Sequence, residues 1–131
     1  MTVRYLEVEE IIEIHDQMID HFGGRHGLNG ASGLGLIDSA AQRPRNKAAY
    51  EDADTLAQAG ALFFGLAKNH GFQDGNKRTA VAATDAFLQQ NGWELACDND
   101  TIAGFTERCS EAAWSEDVVI DFVRRHAAPL S

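Results

Sequence analysis

A short polar segment of this sequence separates two apolar stretches and holds the residue types that phosphate chemistry requires. Its ionisable and amide side chains include His70, Asp74, Asn76, Lys77 and Arg78, all within residues 70–78. Solubility alone does not require so many polar groups where two apolar helices meet. We therefore predict that this segment, called here the 70–78 loop, is an active site that holds and reacts a nucleotide phosphate.

The backbone and the cations of the 70–78 loop both favour an anion. Gly75 permits a conformation that turns amides inward, and the first turn of the next helix leaves N–H groups without intrahelical partners. The positive end of the helix dipole reinforces this nest. Lys77 and Arg78 suit phosphate oxygens, and cations at a helix start oppose the dipole unless an anion is bound. We predict phosphate binding by Gly75, Asn76, Lys77 and Arg78.

Asp74 and His70 supply the two remaining functions of such a site. A carboxylate beside phosphates is explained if Asp74 binds Mg²⁺, which takes one or two carboxylates together with phosphate oxygens. His70 can accept a proton from an incoming hydroxyl near neutral pH. A histidine at a helix junction is usually structural, and only the surrounding polar groups favour catalysis here. Phe72 is expected to anchor the loop in the core.

Helical patterns on both sides of the loop must position it. Apolar residues at helical spacing predict one helix from Asp54 or Thr55 to Asn69 and another from about Asn76 to Gln90. The second is rich in alanine, so we expect it to pack closely at the centre of a bundle. Ahead of them, residues 8–22 form an amphipathic pattern that Gly23-Gly24 ends.

The other segments are less regular. We expect an irregular loop over Arg25–Gly35, a short helix over Leu36–Gln42 that stops before Pro44, and a surface flap over Arg43–Asp54. Trp93–Cys97 alternates enough for a short strand. Asp98–Asp100 can cap a fifth helix that reaches Ser110, and Ser115 a sixth that runs through Arg124. The fold class is all-α, a helical bundle with at most a short strand or flap.

Composition sets outer limits. The 131 residues suffice for a single core, so we expect one domain over residues 1–131. No apolar stretch is long enough to span a bilayer and the N-terminus lacks a signal-peptide run, so we expect a cytoplasmic protein. We also expect no membrane partner. The net charge of −9 repels polyanions, which argues against a nucleic acid partner and favours a basic or neutral protein partner. Cys97 and Cys109 lack metal-ligand spacing and are expected to be ordinary small apolar residues.

The 70–78 loop resembles a known signature. The run His-x-Phe-x-Asp-Gly-Asn followed by Lys-Arg closely resembles the motif of the Fic/Doc superfamily, and its Asn-Lys-Arg ending resembles the death-on-curing (Doc) toxins. Further similarity covers nearly the whole chain. It lies in residues 4–16, 22–24, 33–40, 49–51 and 87–92.

The resemblance implies a fold, an activity and a set of roles. His70 would be the catalytic base, Asp74 the magnesium ligand, Gly75 and Asn76 the anion hole, and Arg78 a phosphate contact. Doc toxins are understood to transfer the γ-phosphate of ATP to a threonine of elongation factor Tu, which arrests translation. The resemblance thus implies the toxin of a type II toxin–antitoxin system, a Mg²⁺- and ATP-dependent protein phosphotransferase.

Two departures from Fic adenylyltransferases bear on the reaction. Those enzymes have glycine at the position of Lys77 and a second arginine at the position of Val81. A bulky cation at position 77 would block the pose for AMP transfer, which favours phosphorylation. Adenylyl transfer and a non-catalytic Fic-fold binding module are the alternatives.

The resemblance also bears on control. Self-silencing Fic proteins carry the pattern Ser/Thr-x-x-x-Glu, and no glutamate of this sequence has Ser or Thr four residues before it. We therefore expect inhibition by a separate antitoxin, whose C-terminal segment folds as an amphipathic helix into an apolar groove beside the active site.

Overall fold

The computed structural model describes residues 2–109 and 114–130. Within these residues the fold is a helical bundle, as the sequence predicts, with one two-stranded antiparallel sheet. In chain order the elements are α1 (Val8–Phe22), α2 (Gly33–Glu51), α3 (Thr55–Asn69), α4 (Asn76–Gln90), β1 (Trp93–Leu95), α5 (Asn99–Cys109), α6 (Glu116–His126) and β2 (Ala127–Pro129).

Helix α1 has the predicted bounds. A capping box joins Glu7 and Glu10 at its start, and Gly23 follows its last residue with a φ of 88° that favours glycine. The buried face carries Ile11, His15 and Ile19. This face places a histidine against the 70–78 loop.

Helix α2 corrects three expectations. It begins at Gly33, inside the expected irregular loop, and it continues through Pro44 as far as Glu51, so the expected stop and the flap over Arg43–Asp54 are both wrong. A proline inside a helix removes one hydrogen bond and clashes with the preceding turn, at a cost of about 3 kcal/mol. Pro44 is fully buried, so core packing offsets that cost.

Helix α3, rather than α4, is the centre of the bundle. It packs against α2, α4, α5 and α6, and an almost continuous run of its residues, from Ala57 to Ala67, is buried. Glycines permit the close approach: a Cβ at Gly60 would lie 2.7 Å from the Ile120 Cα atom. Helix α4 has the predicted bounds but packs on fewer helices, chiefly α3 and α1.

The strand predicted over Trp93–Cys97 forms as β1, and its partner β2 was not predicted from the sequence. β1 pairs with β2 in the register Trp93 with Pro129 and Leu95 with Ala127. Helix α5 starts after a cap in which Asp98 accepts from the Thr101 N–H at 2.7 Å, and Ser115 caps α6, which ends two residues later than expected. Ser110 lies outside the described residues. In the described part of the chain, no helix combines the length and apolar character that crossing a bilayer requires.

Candidate active site

The 70–78 loop joins the end of the central helix to the start of α4. His70 follows the last residue of α3 with a left-handed φ of 53°, and Gly75 precedes α4 with a φ of 73°. Histidine tolerates the left-handed region better than bulkier residues do, although the conformation still costs energy. Other contacts must therefore hold the loop at both ends.

Residues 23–32, called here the glycine-rich loop, hold the first end. The Asn29 side-chain amide donates to the His70 carbonyl at 2.8 Å, and the Asn29 N–H donates to the Gly71 carbonyl at 2.8 Å. The Gln73 N–H donates to the Gly27 carbonyl at 3.0 Å, so the two loops form an antiparallel bridge at Leu28 and Phe72. The glycine-rich loop thus fixes the backbone that carries His70.

His26 ties the glycine-rich loop to α1. Its ring nitrogens lie 3.1 Å from an Asp16 carboxylate oxygen and 2.9 Å from one of Asp20. Hydrogen bonds to Asp16 and then to Asp20 raise the pKa of His26 above 6.5. The protonated ring can donate to both carboxylates at once.

His70 presents a free imidazole. The residue is exposed, and among the described residues none makes a hydrogen bond or ion pair with its ring. Its backbone is held while its ring is available to solvent. This is the arrangement that a general base acting on an incoming hydroxyl requires.

Asp74 is exposed, and backbone N–H groups orient its carboxylate. The Gly75 N–H donates to Oδ1 at 2.9 Å and the Arg25 N–H donates to Oδ2 at 3.2 Å. Within the described residues no group of three or more acidic, histidine or cysteine side chains could hold a metal ion. A lone oriented carboxylate fits Mg²⁺ that arrives with phosphate oxygens, because such sites use one or two carboxylates.

Gly75 and Asn76, the residues predicted to form the anion hole, also make hydrogen bonds within the loop. The Gly75 N–H is bonded to Asp74, and the Asn76 side chain both accepts from the Phe72 N–H and donates to the Phe72 carbonyl, each at 3.0 Å. The Gly75 N–H and the Asn76 side chain therefore stabilise the loop itself. The N–H groups of Asn76, Lys77 and Arg78 open α4 without partners among the described residues, and these three remain for an anion.

The two cations have different surroundings. Lys77 Nζ lies 3.1 Å from a carboxylate oxygen of Glu107 on α5, so an ion pair neutralises it in this structure. The Arg78 guanidinium lies over the Phe22 ring, 4.7 Å from its centroid, and is exposed. A cation–π contact leaves the guanidinium N–H groups able to bind phosphate oxygens.

Two residues that touch the loop were not predicted from the sequence. Nothing in the spacing of His15 distinguishes it from the other histidines, but its side chain is buried and contacts Phe72 and Asp74. Asn29 received no role. Its neighbours signal only a glycine-rich loop, so its contact with His70 could not be read from spacing.

A surface groove of about 370 Å³ lies elsewhere, between α5 and α6. Phe105, Trp114 and Phe122 line it, and no residue of the 70–78 loop does. The site is therefore defined by the chemistry of the loop and not by the depth of a cavity.

The helical fold and the 70–78 loop are the features by which this chain can be compared with known families. The Fic/DOC family model matches residues 5–88, which include α1–α3 and most of α4. The chain belongs to the Fic/DOC family.

Its relatives narrow the comparison to Doc toxins. "Protein kinase doc" of Escherichia phage P1 is 32% identical over 124 residues, which cover 94% of this chain and 95% of the phage protein. "Toxin Doc" of Mycolicibacterium smegmatis is 47% identical over 68 residues, about half of each chain. This chain is thus similar to one Doc protein over nearly its full length and to a second over about half of it.

Proposed function

We propose that this protein is a Mg²⁺- and ATP-dependent phosphotransferase that modifies a protein hydroxyl and acts as a toxin. The observation that carries the proposal is the free imidazole of His70 in a loop that also opens a helix N-terminus and holds Asp74 and Arg78. The similarity to a phage protein named as a kinase supports phosphoryl transfer over other chemistry.

The proposed reaction uses these groups in one displacement. The substrate hydroxyl gives its proton to the His70 imidazole while its oxygen attacks the γ-phosphorus of ATP, and the bond to the bridging oxygen breaks to release ADP. The N–H groups that open α4 and the Arg78 guanidinium bind phosphate oxygens. Bound Mg²⁺, held by Asp74, would neutralise phosphate charge.

The proposed substrate and partner follow the resemblance to Doc toxins. The substrate is a translation factor similar to elongation factor Tu, and the partner is an antitoxin whose helix blocks the site. Because the proposed substrate and antitoxin would act in the cytoplasm, we propose the same location for this protein. The net charge of −9 supports a protein partner and argues against direct nucleic acid binding.

Mass spectrometry of elongation factor Tu incubated with this protein, ATP and Mg²⁺ tests the proposal. We expect a gain of about 80 Da for phosphorylation, whereas adenylylation gives about 329 Da and a binding module gives no gain. Asp74→Asn should reduce the gain and weaken Mg²⁺-dependent ATP binding, and Asp38→Asn, an exposed aspartate of α2, is the control. A wild-type gain of about 329 Da, or none, would overturn the proposal.

A further inference from the structure

His15 is a buried histidine for which the proposed proton transfer has no use. It lies on α1 with 1% of its surface exposed, and its ring stacks on Phe72 with centroids 3.8 Å apart and planes 4° apart. Its Nε2 atom lies 2.7 Å from the Asp74 carbonyl oxygen. One side chain therefore contacts the 70–78 loop on both sides of Gln73.

The acceptor determines which ring nitrogen carries the proton. A carbonyl oxygen only accepts, so Nε2 must donate, and the ring is either the Nε2–H tautomer or the imidazolium. The other nitrogen, Nδ1, lies 3.7 Å from the nearest Asp16 carboxylate oxygen, which is beyond hydrogen-bond distance. The bond to Asp74 is the specific polar contact of His15.

This bond controls one peptide unit of the active site. The Asp74 carbonyl and the Gly75 N–H belong to the same planar group, so fixing one end fixes the other. His15 holds the oxygen, and the opposite end donates to the Asp74 carboxylate at 2.9 Å. Because Gly75 has no Cβ, this peptide could otherwise rotate more freely.

Packing at Gly75 shows that the arrangement is close. A Cβ at this position would lie 3.0 Å from Ile19 Cδ1 and 3.6 Å from His15 Nε2. The tight contact that glycine avoids is therefore with Ile19, and His15 lies at ordinary van der Waals distance from the same point. The hydrogen bond from His15 then directs both the Asp74 carboxylate and the first turn of α4.

We propose that His15 is a positioning residue, whose Nε2–H holds the Asp74–Gly75 peptide in the orientation that presents Asp74 to Mg²⁺. Its link to magnesium rests on the proposed function. The stack on Phe72 supplies packing, and the hydrogen bond supplies the positioning. These two contributions can be separated by substitution.

Two variants of His15 separate the stacking on Phe72 from the hydrogen bond to Asp74. His15→Phe keeps a ring that can stack on Phe72 but has no donor, whereas His15→Gln keeps an N–H donor near the Nε2 position and loses the ring. Calorimetry of ATP binding with and without Mg²⁺ is the first measurement. His15→Phe should lose about 10–100-fold of the Mg²⁺-dependent affinity, the usual effect of removing a residue that orients a metal ligand, and His15→Gln should retain most of it.

His21→Gln, at an exposed histidine of the same helix, is the control and should bind as the wild type does. A His15→Phe variant with wild-type Mg²⁺ dependence would overturn the proposal. So would an equal loss in His15→Phe and His15→Gln, because the stack would then account for the effect.

A second measurement needs no nucleotide and separates this proposal from the proposed function. In the wild-type protein, NMR should show a proton on His15 Nε2 with scalar coupling across the hydrogen bond to the Asp74 carbonyl carbon. The Gly75 amide should exchange with solvent at least tenfold faster in His15→Phe than in His15→Gln. A wild-type Nε2 that carries no proton would overturn the inference, and this result does not depend on whether the variants fold. If the wild-type protein does not bind ATP, only the proposed function fails.

Discussion

At the scale of single residues, His70 combines a constrained backbone with a free side chain. Its φ of 53° is one of two positive values among the described residues other than glycine, and Asn29 holds its carbonyl. A substitution of His70 therefore affects both the chemistry and the turn. Asparagine tolerates left-handed conformations better than alanine, so it isolates the chemistry.

We expect His70→Asn to lower the rate of transfer by about 10²–10⁴-fold, because it removes the base. Its ATP affinity and melting temperature should stay close to wild type, while His70→Ala should lose the same activity and also some stability. Single-turnover kinetics and thermal melts measure these effects. Full activity in His70→Asn would show that the histidine is not the base.

Lys77 is the residue on which we expect the choice of reaction to depend. We predict that Lys77→Gly gains adenylyl transfer and loses phosphoryl transfer, because the smaller residue admits the other orientation of the nucleotide. Mass spectrometry of the modified target distinguishes the two products. Unchanged phosphorylation without an adenylylated product would contradict a selecting role.

The ion pair of Lys77 with Glu107 supplies the matched control for that experiment. Glu107→Gln removes a carboxylate 3.1 Å from Lys77 Nζ while the cation stays in place. If the bulk and charge of Lys77 select the reaction, this variant should still phosphorylate and should not adenylylate. A switch in Glu107→Gln would instead assign selection to the ion pair.

At the scale of elements, the sequence predicted best where one local pattern agreed with the packing. The bounds of α1, α3 and α4 followed from apolar spacing and caps, and these helices carry or support the 70–78 loop. The signature itself pointed to His70 and Asp74. These features are local, so neighbouring residues are enough to indicate them.

Prediction failed where a distant contact overrides a local preference. Pro44 should end a helix, but α2 continues to Glu51 because Pro44 is buried and ion pairs join α2 to α6. Arg43 and Lys47 flank the proline and contact Glu116 at 2.5 and 2.7 Å. Glu116 lies more than sixty residues away in the chain, so local pattern cannot reveal it. The contacts of His15 and Asn29 with the loop escaped for the same reason.

The glycine-rich loop offers a test by pH, because His26 anchors it. An NMR titration of the His26 ring should give a pKa above 6.5, and Asp16→Asn should lower that pKa more than Asp20→Asn does, since the Asp16 hydrogen bond is the larger cause. The raised pKa means that the anchor stabilises the fold fully below about pH 6.5 and that this stabilisation is lost as pH rises through the folded-state pKa.

His21→Gln is the control, because it replaces an exposed histidine on α1, the helix that carries Asp16 and Asp20. It should leave the His26 titration unchanged. A wild-type pKa of His26 at or below 6.5 would show that the two carboxylates do not hold the protonated ring in solution.

At the scale of the whole molecule, the acidic charge and the absence of a self-inhibiting motif both favour control by a separate protein. Twenty acidic residues face eleven basic ones, and no glutamate has Ser or Thr four residues before it. His70, Asp74 and Arg78 are exposed. We therefore expect a separate inhibitor for the proposed toxin, and a basic helix would have an electrostatic advantage in binding this acidic protein.

We predict that the purified protein alone transfers phosphate to elongation factor Tu, and that a helical peptide from an antitoxin encoded beside its gene inhibits it. Because association of a basic helix with an acidic protein is screened by salt, the inhibition constant should rise between low and physiological ionic strength. A charge-reversed peptide with the same apolar face is the control and should inhibit less at low salt. An isolated chain that becomes active only after its termini are trimmed would contradict control by a separate protein, and salt-independent inhibition would assign the contact to apolar packing alone.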